Sequence, residues 1–119
     1  VGAVDISPEL IGKPLSKVID GEASKVVVRA SIAQAMKDAG GKVDAAIVTT
    51  ASDMRACAET FSELLKLGIA VVSTCEEATW PWLRHPALSK KLDALARKHG
   101  GRLLGTGVNP GYLMDTVPV

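Results

Sequence analysis

The chain has 119 residues, one domain's worth, with 47% apolar content, only 3% aromatic, and a formal charge of +1 from 14 Lys and Arg against 13 Asp and Glu. Its core must therefore come from Val, Ile, Leu and Ala, the usual content of buried parallel strands and the helices that cover them. The near-neutral balance excludes bulk attraction to nucleic acid or a membrane surface, and no apolar run approaches the roughly 18 residues that span a bilayer.

Val1 to Asp5 reads as a short strand ending in an acid, and "SPELIGKP" as a loop marked by Pro8, Gly12 and Pro14. Val26 to Val28, three β-branched residues in a row, predict a short buried strand. Ser31 and Gln34 have capping-box spacing, and Ile32, Ala35, Met36 and Ala39 follow at helical spacing until Gly40 and Gly41. "DAAIVTTAS" predicts a central strand over Ala45 to Val48 that ends in hydroxyls. A helix capped by Ser52 follows, with Met54, Cys57, Phe61, Leu64 and Leu65 on one face and Gly68 as its stop. Ile69 to Ser73 is another buried strand. Thr74 and Glu77 form a second candidate capping box, and "TWPWLRHP" breaks the pattern. Leu88, Leu92, Leu95 and Ala96 make a last amphipathic helix before Gly100 and Gly101, and "RLLGTGVNPG" is a strand running into a turn. Strands alternating with helices in this order predict an α/β fold, a mostly parallel sheet with helices on both faces.

In such a sheet ligands bind outside the carboxyl ends of the strands, so the informative residues are Asp5, Thr49 to Ser52, Ser73 to Glu77 and Gly105 to Gly111. A carboxylate at a strand end can accept both hydroxyls of a ribose; the plainer reading of Asp5 is a local turn closed on the N–H of Ser7. Thr49, Thr50 and Ser52 serve as cleft hydroxyls or, for Ser52, as a helix cap. Adjacent Glu76 and Glu77 point in different directions, which favours a helix-start role over paired acid/base work. Cys75 at a helix start has an activated-thiol reading but no partner His. His85 and His99 read as solvated or carbonyl-bonded. Cys57 and Cys75 have no C-x-x-C or Cys/His spacing, so free thiols and no metal site are expected in a soluble, cytoplasmic protein. In "GTGVNPG", Gly105 and Gly107 allow close backbone approach, Pro110 biases Asn109 toward extended backbone, and Gly111 permits positive φ.

Taken together, Asp5, "TTAS", "STCEEATWPW" and "GTGVNPGYLMD" resemble the nucleotide-binding domain of the dihydrodipicolinate reductase-like superfamily, in particular its 2,4-diaminopentanoate dehydrogenase group. The resemblance extends over essentially the whole chain. It implies a Rossmann-like domain that binds NAD or NADP within an oxidoreductase acting on an amino or keto acid, with a second domain completing the active site. It also implies cofactor-binding roles: Asp5 at the adenosine ribose, Thr49, Thr50 and Ser52 along the cofactor cleft, and Thr74, Glu76, Gly107 and Asn109 near nicotinamide and a small-molecule substrate. Such a domain carries a first strand and a G-x-G-x-x-G loop ahead of "VGAVD", and neither occurs in these residues. The expectation is thus a partial nucleotide domain over 1–119 without its catalytic domain, itself inactive. The alternative is a non-catalytic module that self-associates or binds a partner, since a missing strand leaves a ladder that recruits other chains into an oligomer.

Overall fold

The computed structural model describes residues 1–118. They fall into two compact units, residues 1–43 and the described residues from 44 onward, each with its own sheet.

In the first unit, strand β1 (Ala3–Val4) runs parallel to β2 (Val28–Arg29), Ala3 facing Val28 and Val4 facing Arg29. The strand expected over Val26 to Val28 is shorter than its composition suggests. Val27 bridges to Pro14 and Val26 accepts the N–H of Leu15, so the loop returning at Pro14 takes over the backbone before pairing with β1 begins. Leu15–Val18 form a one-turn helix, α1, which follows that proline and has no apolar periodicity of its own. Helix α2 (Ile32–Asp38) is capped as its spacing predicts: Ser31 Oγ accepts the Gln34 N–H at 3.3 Å. Val28 and Ala35 are buried.

In the second unit, strands β3 (Ala45–Val48), β4 (Ala70–Ser73) and β5 (Arg102–Gly105) form a parallel sheet in the order β3-β4-β5. Ala45, Ala70 and Arg102 share one row, and Val48, Ser73 and Gly105 another. Helices α3 (Met54–Lys66) and α4 (Pro86–His99) pack against each other and against these strands. The predicted face of α3 is the buried one, with Met54, Cys57, Phe61, Leu64 and Leu65 inside alongside Val71 and Leu92. Gly68 and Gly100, both at φ 74°, take the left-handed conformation that lets each helix turn directly into the next strand.

On the opposite face of the sheet the side chains Ile47, Val72 and Leu104 lie in one row across the three strands and are exposed, Ile47 to 79%. β3, expected as a central strand, pairs on one side only among the described residues. It is covered on one face as well, since Val48 is buried while Ala45 and Ile47 are not.

Candidate functional site

The parallel register brings Val48, Ser73 and Gly105 level, so the segments that leave β3, β4 and β5 emerge side by side. The ladder continues a step past the strands: Thr74 N–H donates to Val48 O at 3.1 Å and Thr106 N–H to Ser73 O at 2.9 Å. Buried Ser73 ties this end together, since its hydroxyl donates to Val48 O at 2.9 Å and accepts the Cys75 N–H at 3.1 Å.

Of the residues singled out in the sequence, Thr49, Thr50, Ser52, Thr74, Glu76 and Asn109 are exposed at these ends and Gly107 is half-buried. Thr74 and Gly107 are brought together: a Cβ on Gly107 would stand 3.4 Å from Thr74 Cγ2. Gly105 is more constrained. A Cβ there would lie 2.5 Å from the carbonyl carbon of Ala78, so only glycine lets the segment after β4 cross the end of β5. The "GTGVNPG" turn then closes on itself through a Gly107–Gly111 bridge and a cis Asn109–Pro110 bond. It runs into a wide turn over Tyr112–Thr116 whose N–H groups reach back five residues, Tyr112 to Gly107 O and Leu113 to Val108 O. Asp5 belongs to the first unit. Its Oδ1 accepts the Ser7 N–H at 2.7 Å, the local turn read as the plainer alternative.

Three expectations are corrected. Helix α3 is capped by Asp53, whose Oδ1 accepts the Ala56 N–H at 2.8 Å, and not by Ser52. The next residue is the better cap because its carboxylate bears full charge at the positive helix end, and that hydrogen bond lowers the Asp53 pKa. Ser52 contributes its carbonyl instead, which accepts the Glu77 N–H at 3.3 Å and the Cys75 thiol at 3.2 Å.

The second correction concerns Thr74 and Glu77, which do not form a capping box. The segment after β4 makes only one tight turn, Glu76–Ala78, started by Cys75 without a side-chain cap. Glu77 reaches across to α3, where its Oε2 accepts the Met54 N–H at 3.0 Å. The Glu77 N–H that Thr74 would serve donates to Ser52 O instead, and the Glu77 carboxylate meets one of the N–H groups that the start of α3 leaves unsatisfied.

Thirdly, His85 is neither solvated nor bonded through its ring to a carbonyl. Its side chain is 9% exposed, and Nε2 lies 2.9 Å from the same Glu77 Oε2, while Arg84 approaches Glu77 Oε1 at 2.9 Å. The Met54 N–H and the His85 contact hold the Glu77 carboxyl below its ordinary pKa. No local pattern announces this cluster, because its members come from the end of β4, the start of α3 and the start of α4. The one available hint is the "HP" pair, which places His85 at the cap position before a proline in the first turn of α4.

The thiols are free and buried. Burial first, and then the neighbouring Cys57, push Cys75 up to about 11, so no thiolate is present there at neutral pH and the activated-thiol reading falls. Among the described residues no three His, Cys, Asp or Glu side chains converge as a metal site, and no helix is long and apolar enough to cross a membrane.

No family profile matches the chain. Over 76 residues, 64% of its length, it is 34% identical to 2,4-diaminopentanoate dehydrogenase of Acetoanaerobium sticklandii, of which it spans 22%. Among solved structures, an amine dehydrogenase from Mycobacterium smegmatis superposes with a TM-score of 0.83 at 31% identity, over 90% of this chain and 31% of that one. Both likenesses are to dehydrogenases, as the resemblance of the strand-end motifs led one to expect, and the Rossmann-like α/β fold agrees with the second.

Proposed function

We propose that these residues are the NAD(P)-binding portion of an oxidoreductase that transfers hydride at an amine- or imine-bearing carbon of a small amino or keto acid. The observation that carries this reading is the convergence at the carboxyl ends of β3, β4 and β5: exposed hydroxyls at Thr49, Thr50 and Thr74, and a glycine turn packed on Thr74. The dehydrogenase names of the two similar proteins support it.

The residues fit one part of a dinucleotide better than the other. Hydroxyls and close-packed glycines suit a ribose and a carboxamide. The pyrophosphate is served in this fold by a glycine loop opening a helix, and no G-x-G-x-x-G occurs in the 119 residues. In this reading Thr49, Thr50 and Ser52 line the cleft, Thr74, Glu76, Gly107 and Asn109 border the nicotinamide, and Asp5 faces the adenosine ribose. The cofactor itself supplies the hydride chemistry. The protein's residues orient it and keep the polar ends of three strands in one place. A carboxylate at Asp5 repels a 2′-phosphate, which favours NAD over NADP, with Lys13 in the following loop opposing that preference.

Titration calorimetry of NAD and of NADP into the 119-residue chain tests the reading. About three neutral hydrogen bonds at ~1 kcal/mol each do not outweigh the several kcal/mol lost on association, so affinity in the millimolar range is expected, with NAD ahead of NADP. A complete lack of binding at tens of millimolar would count against the cleft, and a micromolar constant would mean a phosphate site exists outside the residues named.

A further inference from the structure

We propose that His85 is a positioning residue for the loop Thr74–Glu77: by holding the Glu77 carboxylate through Nε2–H it keeps that loop in one shape against the dinucleotide. The second half of this proposal rests on the reading above, that the loop borders the cofactor.

His85 is the fixed member of the pair. Its N–H donates to Pro81 O at 2.8 Å, and its carbonyl accepts both the N–H and the hydroxyl of buried Ser89, at 2.9 and 2.8 Å. Its main chain is held on both sides and its side chain is 9% exposed, so the imidazole meets Glu77 largely out of water. Glu77 Oε2 lies 2.9 Å from Nε2 and also accepts the first N–H of α3 from Met54 at 3.0 Å. An ionised carboxylate can only accept, so Nε2 must carry the proton. One oxygen thereby joins the end of β4 to the starts of α3 and α4.

The other charged groups around it contribute less. Arg84 approaches Oε1, but its side chain is 76% exposed and its attraction is largely screened. Asp53, the cap of α3, is a second carboxylate under the influence of His85. It is engaged with the Ala56 N–H and does not compete for the ring in this structure. What Glu77 fixes is the backbone beside the cleft. Its N–H is on Ser52 O, Cys75 bonds the same carbonyl, and Thr74 sits two residues from Glu76 and against Gly107. If the carboxylate were released, the turn would lose its side-chain ties to the starts of α3 and α4 and keep its bonds to Ser52, Ser73 and Gly105.

The test uses the 119-residue chain and two variants, His85→Leu, which removes the donor, and His85→Gln, whose side-chain amide restores an N–H at similar reach. In the unaltered chain at pH 7, 15N NMR of the imidazole should show the proton on Nε2; a bare Nε2 overturns the proposal even if a variant does not fold. Carbon-detected titration should find the Glu77 pKa raised in His85→Leu and held low in His85→Gln. NADH titration, followed at the Thr74 and Gly107 amides, should be weaker by about fivefold in His85→Leu and recover in His85→Gln, as expected for one lost hydrogen bond. An unchanged Glu77 titration in His85→Leu, or a loss that Gln does not restore, would refute the positioning role. If NADH leaves Thr74 and Gly107 unmoved in the unaltered chain, the cofactor reading fails instead, and the tautomer and Glu77 titration still judge the clamp.

Discussion

At the scale of single residues, the side chains that organise the strand ends are acids placed at helix starts. Asp53 and Glu77 both serve α3, one on the Ala56 N–H and one on the Met54 N–H. Their roles separate from those of their neighbours by mutation. Asp53→Ala should lower the thermal midpoint and Ser52→Ala should leave it nearly unchanged, because only the first removes a side-chain cap; circular dichroism melts of the two variants decide it, and the reverse order would restore Ser52 as the cap. Glu77 adds a pH dependence of known sign. Its pKa is lowered in the folded state, chiefly by the Met54 N–H, so its stabilisation is present above the unfolded value of about 4.3 and is lost as pH falls through the lower folded value. Urea midpoints should therefore favour the unaltered chain over Glu77→Gln at pH 7, with the gap closing below about pH 4; a gap independent of pH would show that the carboxylate's charge is not what matters.

At the scale of elements, much was legible before the structure, for a physical reason. β3 over Ala45–Val48, the buried face of α3, and the stops at Gly40, Gly68 and Gly100 are all local patterns: a continuous apolar run, a 3.6-residue stripe, a residue that tolerates positive φ. What was not legible depends on contacts between segments distant in the chain. The Glu77–His85 pair, the diversion of Val26 and Val27 to Pro14 and Leu15, and the open face bearing Ile47, Val72 and Leu104 leave no periodic trace. Gly105 lies between these cases. Its value for close backbone approach was readable, but not the element that approaches it, which is the turn at Ala78. Gly105→Ala should cost about 1–3 kcal/mol, the usual range for overpacking, and more if the turn cannot move aside. Chemical denaturation measures it, and a change near zero would mean that the turn after β4 yields easily.

At the scale of the whole molecule, the proposed function has the parallel β3-β4-β5 sheet present one polar end to a dinucleotide. The second unit carries most of that surface: Thr49 to Ser52, Thr74 to Glu77 and Gly105 to Gly111 all lie within residues 44–119, whereas Asp5 lies in the first. Likeness to an amine dehydrogenase over 90% of the chain supports a shared fold, and this chain spans 31% of that protein. The central claim is one of place, and amide chemical-shift mapping tests place directly. When NADH is titrated into the 15N-labelled 119-residue chain, the resonances of Thr49, Thr50, Thr74 and Gly107 should shift together along one millimolar binding curve, while those of Gly68 and Gly100, at the amino ends of β4 and β5, stay still. Shifts confined to the opposite end of the strands, or none at any of these residues up to tens of millimolar NADH, would contradict it.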